Sequence, residues 1–471
     1  MSVKPAAAGI HFPVTVPVLV IGSGACGLTA ALAAHDAGAE VLVLERDRMP
    51  RGSTALSSGF IPAAGTRFQR EKGIEDSPAL LAADIMAKNK GRSSPIVTAR
   101  VAERVGPTLE WLADRHGVKF EVIEGFLYPS HSVLRMHATP QRTGADLMTY
   151  LLAAAEAAGI ATMASAHVVA LFAEEDGRIA GVEIARPDGA RETIGCAALV
   201  LACNGYGGDP ALVRRYIPEM AGALYFGHQG NQGDALRWGE ALGARLRDLG
   251  AYQGHGSVAH PHGILITWAL MMEGGFQVNA EGRRFSNEQR GYSEQAVDVL
   301  NQQGGVAIEI YDARLHALGL DFEDYRNAVA AGAIRSAESI EALAVLFGLP
   351  APALAATLAE TRATAAGERT DPFGRDFTRK PTLAPPFYGV RVTGALFHTQ
   401  GGLEIDADAR VLRRDGRPLL NLLAGGGASR GLSGPERAGY FSGGGLLAAV
   451  TIGRIAGETA SRLAGSARVE A

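Results

Sequence analysis

At 471 residues the chain is too long for one simple core, and its length predicts two or three domains. Its composition, 47% hydrophobic and 20% charged, is that of an ordinary globular protein and excludes a disordered or fibrous class. The formal net charge of −4 gives no basic footprint for nucleic acid and no polybasic patch for a membrane surface. Three cysteines (Cys26, Cys196 and Cys203) exclude a disulfide framework, and no pair has metal-ligand spacing. The 60 glycines sit in short clusters between apolar runs, as tight turns and close backbone approaches do.

The segment from Met1 to Val16 lacks a charged start followed by an apolar core, so no secretory leader is expected and the cytoplasm is the default. The apolar stretch from Val16 to Ala34 is interrupted by Pro17, Gly22, Gly24 and Gly27, which argues against a membrane helix. Val16–Ile21 has the length and β-branching of a buried parallel strand. It runs into Gly22-Ser-Gly24-Ala25-Cys-Gly27, then an Ala-rich helix from Leu28 to Gly38, then a second strand ending at Glu45. Gly22 permits the tight turn, Gly24 admits a pyrophosphate to the backbone, and Gly27 lets helix and strand pack closely. The helix N-terminus then faces the phosphates, and Glu45 can accept from ribose hydroxyls. Strand, helix, second strand and acid in this order predict a dinucleotide cradle. Cys26 within it reads as a small packing residue.

From Arg51 to Thr66 the chain is rich in glycine and hydroxyls, as a loop lying along a flat ring system must be. This stretch resembles the flavin loop of the succinate dehydrogenase/fumarate reductase flavoprotein superfamily, which also contains 3-ketosteroid dehydrogenases. The resemblance continues through Leu199–Gly208, Gly230–Asp234, Pro385–Tyr388, Gly401–Gly402, Leu422–Gly427 and Gly443–Leu446. It implies an α/β fold: a discontinuous, Rossmann-type FAD-binding domain with a parallel sheet, spanning 1–249 and 395–471, and an inserted α+β cap over 250–394. It implies FAD contacts at Gly22, Gly24, Ala25, Gly27, Glu45, Arg46, Ser53, Thr54, Ser58, Gly59, Val168, Asn204, Gly205, Gly426, Gly427 and Leu446. Covalent members carry histidine where this chain has Ser53, so the resemblance implies non-covalent FAD. The family's acidic residue in the C-terminal flavin segment falls on Gly427.

In the cap, the run from Gly274 to Glu288 resembles the string preceding the proton-delivering arginine of fumarate reductases. That arginine falls on Tyr292, and a glutamate and an arginine upstream in the same relay fall on Trp268 and Met271. Arg290 stands two residues early and could compensate only through a remodelled loop. Other pocket positions match: His255 and His398 as substrate-binding histidines, Thr267 as a substrate hydroxyl, and Arg437 as the carboxylate-gripping arginine. Ketosteroid dehydrogenases offer a second likeness, with tyrosine at Tyr292 and the Tyr440-Phe-Ser442-Gly443 string of the Δ4-type enzymes. His137 and Arg142 are further residues that either approach the pocket or serve as helix-start and loop residues.

Both likenesses imply one reaction type: hydride exchange with the flavin and proton exchange at a CH–CH or C=C bond beside a carbonyl or carboxylate. Tyr292 is expected to move the proton and His255, His398 and Arg437 to bind the oxygen, with Tyr440 and Ser442 in support. Dehydrogenation of a 3-ketosteroid-type or small-carboxylate substrate is favoured over a fumarate-reductase-like reduction or a catalytically silent flavin carrier. No haem, iron–sulfur or second dinucleotide motif identifies an electron acceptor, and no metal is expected.

Overall fold

The computed structural model describes residues 1–6 and 10–469. The uncharged run Val14–Ile21 forms a strand whose Val18, Leu19 and Val20 are wholly buried, as a strand with both neighbours parallel requires. It pairs in parallel with Val41–Leu44 on one side and Arg191–Leu201 on the other. Among the described residues these belong to a nine-stranded sheet. The strand Arg191–Leu201 is its branch point: Arg191–Gly195 pair antiparallel with Ile179–Ala185, while Leu199–Leu201 pair in parallel with the late strand Pro418–Ala424. The parallel half is thus built from both ends of the chain.

The Ala-rich helix begins at Ala25, three residues earlier than expected, with Gly24 as its N-cap, and ends at Asp36. The C-terminal helix Gly444–Val469 packs against it. The approach is backbone to backbone, since a Cβ at Gly457 would lie 2.1 Å from the Ala30 carbonyl oxygen. No described helix is long and apolar enough to cross a membrane.

A second sheet, seven-stranded among the described residues, is organised around the 13-residue strand Phe387–Thr399. Tyr252–Ala259 and Val306–Asp312 flank it antiparallel. The strand continues through residue 394 to Thr399. The helix Tyr292–Leu300 lies against both Tyr252–Ala259 and Phe387–Thr399.

Beside that helix the apolar core of the second layer encloses a charged cluster. Glu288 pairs with Arg284 at 2.8 Å and with Arg375 at 2.9 Å, and Arg284 also pairs with Asp371. Although burial alone would raise it, the two guanidinium groups hold the Glu288 carboxyl down to about 2. Its folded value lies below its unfolded one, so its stabilisation is present above the unfolded value near 4.5 and is lost as pH falls toward about 2. Replacing Glu288 with Gln strands Arg375, so the variant should lose about 3–5 kcal/mol of unfolding free energy at pH 7 in a denaturant titration. The deficit should shrink below pH 4; a deficit under about 1 kcal/mol would deny the cluster this role.

Candidate active site

Two cavities meet where the sheets face each other, sharing Ser53, Thr54, Asn204, Gly426, Gly427 and Ala449 in their walls. The first, about 810 Å3, is bounded by the cradle: Gly22, Gly24 and Ala25 at the helix start, Glu45 and Arg46 after the second strand, and Val168. Gly27 packs the turn and lies outside the cavity wall. A Cβ there would stand 1.8 Å from the Gly22 carbonyl oxygen, so helix and turn touch directly. Gly24 differs: its added Cβ meets only Thr54 Oγ1, at 3.4 Å. Space is kept open at Gly24 and filled at Gly27, as a pyrophosphate seat requires. Glu45 accepts from the Ser23 amide at 3.0 Å and from the Ser23 hydroxyl, which fixes its carboxylate at the end of the strand. Cys26 is buried, and burial pushes its thiol up to about 12, consistent with packing.

The second cavity, about 1200 Å3, is walled by Ser58, Gly59 and Leu446 and by Thr267, His255, His398, Tyr292 and Tyr440. No Asp, Glu, Lys or Arg is among its described lining residues. Both histidines are neutral. Burial pushes His255 down to about 3 and His398 to about 4. His255 Nδ1 accepts the Ser257 amide at 3.2 Å, so its proton sits on Nε2. His398 Nε2 accepts from the Gln400 side-chain amide at 2.7 Å, which places its proton on Nδ1.

Tyr292 opens its helix, following Gly291, and its ring stacks on His255 at 4.7 Å between centroids. Its hydroxyl faces three donors: the Ser442 hydroxyl, the Tyr440 hydroxyl and the Gly443 amide. Each favours the phenolate, but burial outweighs them and raises the phenol to about 12. The Tyr440 hydroxyl in turn faces the Gly443 and Gly445 amides at the start of the 26-residue C-terminal helix. Tyr440 is pushed well above the ordinary phenol range, by burial first and then by its neighbour Tyr292.

Several expected residues lie elsewhere. Arg437 is outside the cavity wall, and its guanidinium faces Tyr252. Arg290 pairs with Asp298 at 2.6 Å on the exposed side and lies outside the cavity wall. His137 is buried between Thr66 and the Arg135 carbonyl, and Arg142 pairs with Glu121. Gly205 lies behind the wall, against Thr399. Ser442 is behind it too and reaches Tyr292 from below the lining. The sequence reading missed Tyr128, whose hydroxyl faces Thr267, and the apolar wall of Phe60, Phe226, Leu265 and Phe397. Tyr128 lies in the motif-free loop between Ile123 and Arg135, and no spacing rule marks it.

The joined cavities, with an open backbone seat at one end and small residues along the middle, fit FAD. Among the described residues no cluster of His, Cys, Asp and Glu could hold a metal ion. A Gly24→Val variant should fold, because its side chain enters open space, yet purify without the yellow flavin spectrum. Gly27→Val should instead fail to yield folded protein. Full flavin content in Gly24→Val, read from the visible absorbance ratio, would contradict the seat.

Comparison with known proteins agrees with this arrangement. The FAD binding domain family model matches residues 17–442. An NADH:fumarate oxidoreductase of Klebsiella pneumoniae (strain 342) is 29% identical over 96% of the chain, which spans 48% of that relative's length. A 4-oxocyclohexanecarboxylate 2-dehydrogenase of Sinomonas cyclohexanicum is 27% identical, covering 94% of this chain and 92% of the relative. A flavocytochrome c3 fumarate reductase structure in its open conformation superposes with a TM-score of 0.79 at 27% identity, covering 96% of this chain and 79% of that one. The 3-ketosteroid-Δ4-(5α)-dehydrogenase of Rhodococcus jostii RHA1 shares the fold, with a TM-score of 0.77 at 24% identity over 98% and 100% of the two chains. The chain belongs to the FAD-binding family of flavoproteins that includes fumarate reductases, and FAD is its cofactor.

Proposed function

We propose that the protein is a flavin-dependent dehydrogenase that removes a proton and a hydride from adjacent carbons beside a ketone. The observation that carries this reading is the substrate cavity itself: aromatic, apolar and free of charged side chains among its described lining residues. A dicarboxylate entering it would lose hydration with no guanidinium or ammonium to replace it. A neutral ketone loses far less and needs only hydrogen-bond donors. The dehydrogenase of 4-oxocyclohexanecarboxylate, a relative of similar length, acts by name on a ring that bears a ketone and one carboxylate, and it supports the ketone part of the reading.

When bound, FAD supplies the hydride acceptor. Tyr292 is the group that takes the proton from carbon. Its oxygen faces the Tyr440 and Ser442 hydroxyls and the Gly443 amide, which stabilise the phenolate needed for that step. The amides at the start of the C-terminal helix reinforce them with the positive end of the helix dipole. His255, protonated on Nε2, and Tyr128, beside Thr267, are donors for the carbonyl oxygen as charge builds on it. Stacking of His255 on Tyr292 keeps the base and the carbonyl donor in fixed relation.

One observation favours the reverse direction. Burial keeps the Tyr292 phenol protonated at neutral pH, the state needed to deliver a proton to a conjugated C=C. The two directions separate by pH. Below about 12 the phenolate fraction grows tenfold per pH unit, so substrate-driven flavin reduction should accelerate steadily between pH 7 and 10. Reoxidation by an enone uses the protonated phenol and should stay nearly flat over that range. Tyr292→Phe should retain FAD, slow flavin reduction by at least about 10²-fold and lose the pH slope. A variant with wild-type rates would remove Tyr292 from the reaction.

A further inference from the structure

The nucleotide cavity has a third bank, set by the loop that leads into the Gly230–Asp234 turn. His228, Gly230 and Asn231, in the loop after the short strand Leu224–Tyr225, line it together with Gly24 and Glu45. This loop is tied to both other banks. On the strand side, His228 Nε2 lies 2.6 Å from the Asp47 carboxylate, and Arg46 donates to the Gly230 carbonyl. On the flavin-loop side, the Ser53 hydroxyl accepts from the His228 amide at 3.1 Å and from the Asn231 side-chain amide at 2.9 Å. The loop is also braced within itself. Asn231 donates to the Tyr225 hydroxyl at 2.8 Å, and the Gly230 amide donates to His228 Nδ1 at 3.0 Å.

Arg46 and Ser53 therefore spend polar contacts on the loop, where the sequence reading expected contacts with the cofactor. We propose that residues 228–231 form a strap over the FAD seat, and that Ser53, Arg46 and Asp47 retain the cofactor by holding the strap down. The strap bridges the two banks between which the dinucleotide lies, so its anchors must open before FAD leaves. Release is then governed by bonds between protein groups, in addition to those between protein and cofactor.

The test measures FAD release from the holoenzyme, followed by the rise in flavin fluorescence after dilution, and does not depend on the identity of any substrate. Asp47 is the informative position because it does not line the cavity and its carboxylate pairs with His228. Asp47→Asn and Asn231→Ala should each speed release by about 5- to 10-fold, the scale of one net hydrogen bond. Ser53→Ala combined with Asn231→Ala should speed release by less than the product of the two single effects, because the two variants share the Ser53–Asn231 contact. Thermal melting of each holoenzyme checks that the fold persists; should Asn231→Ala melt early, Asp47→Asn, on the partly exposed pair, decides alone. Release within twofold of wild type in Asp47→Asn would overturn the strap. So would acceleration confined to Ser53→Ala, which would mark Ser53 as a direct cofactor contact.

Discussion

The site depends on the packing of the last helix onto the first. At Gly457 the backbones of Gly444–Val469 and Ala25–Asp36 are close enough that a single Cβ would meet the Ala30 carbonyl. That contact joins two segments more than 400 residues apart in the sequence. Its consequence is geometric: one helix presents its N-terminus to the dinucleotide seat, and the other presents its N-terminal amides to the two tyrosines. The same pair of helices therefore sets the distance between the dinucleotide seat and the two tyrosines. The strand Pro418–Ala424, added in parallel beside Arg191–Leu201, holds the C-terminal segment in register with the cradle.

The chemistry follows from what is absent from the wall as much as from what is there. A buried carboxylate ligand needs compensating charge, and the described wall offers hydroxyls, amides and neutral imidazoles. Three charged groups of this layer, Arg284, Glu288 and Arg375, pair away from the wall, in a cluster beside the segment leading into Tyr292. The proposed ketone substrate, with a carbonyl oxygen as its polar handle, matches a cavity kept apart from this charged support.

The cradle was legible in the sequence because its signals are local: strand, glycine turn, helix, strand and acid occur within residues 16–45. Its one misplaced boundary, the helix start, has a plain cause. Gly24 is itself the N-cap, so Gly27 belongs to the first helical turn. Tyr292 and Tyr440, proposed to act together, were singled out through motif resemblance, but their relation was not; residues 148 apart in the chain meet only through the fold. Arg437 shows the limit of spacing. It lies in a short 3-10 turn, Arg437–Gly439, whose direction is set by packing, and it points toward Tyr252. Tyr128 and the apolar wall come from separate segments with no shared pattern, so only the folded chain assembles them.

The most direct test of the uncharged carbonyl chamber is an anaerobic spectral titration of the yellow holoenzyme. Neutral cyclic ketones, including 3-ketosteroids, are compared with succinate and other small dicarboxylates by loss of the visible flavin band. A chamber of this kind should let a neutral ketone bleach the flavin while dicarboxylates leave it oxidised. Bleaching by a dicarboxylate and none of the ketones would contradict it.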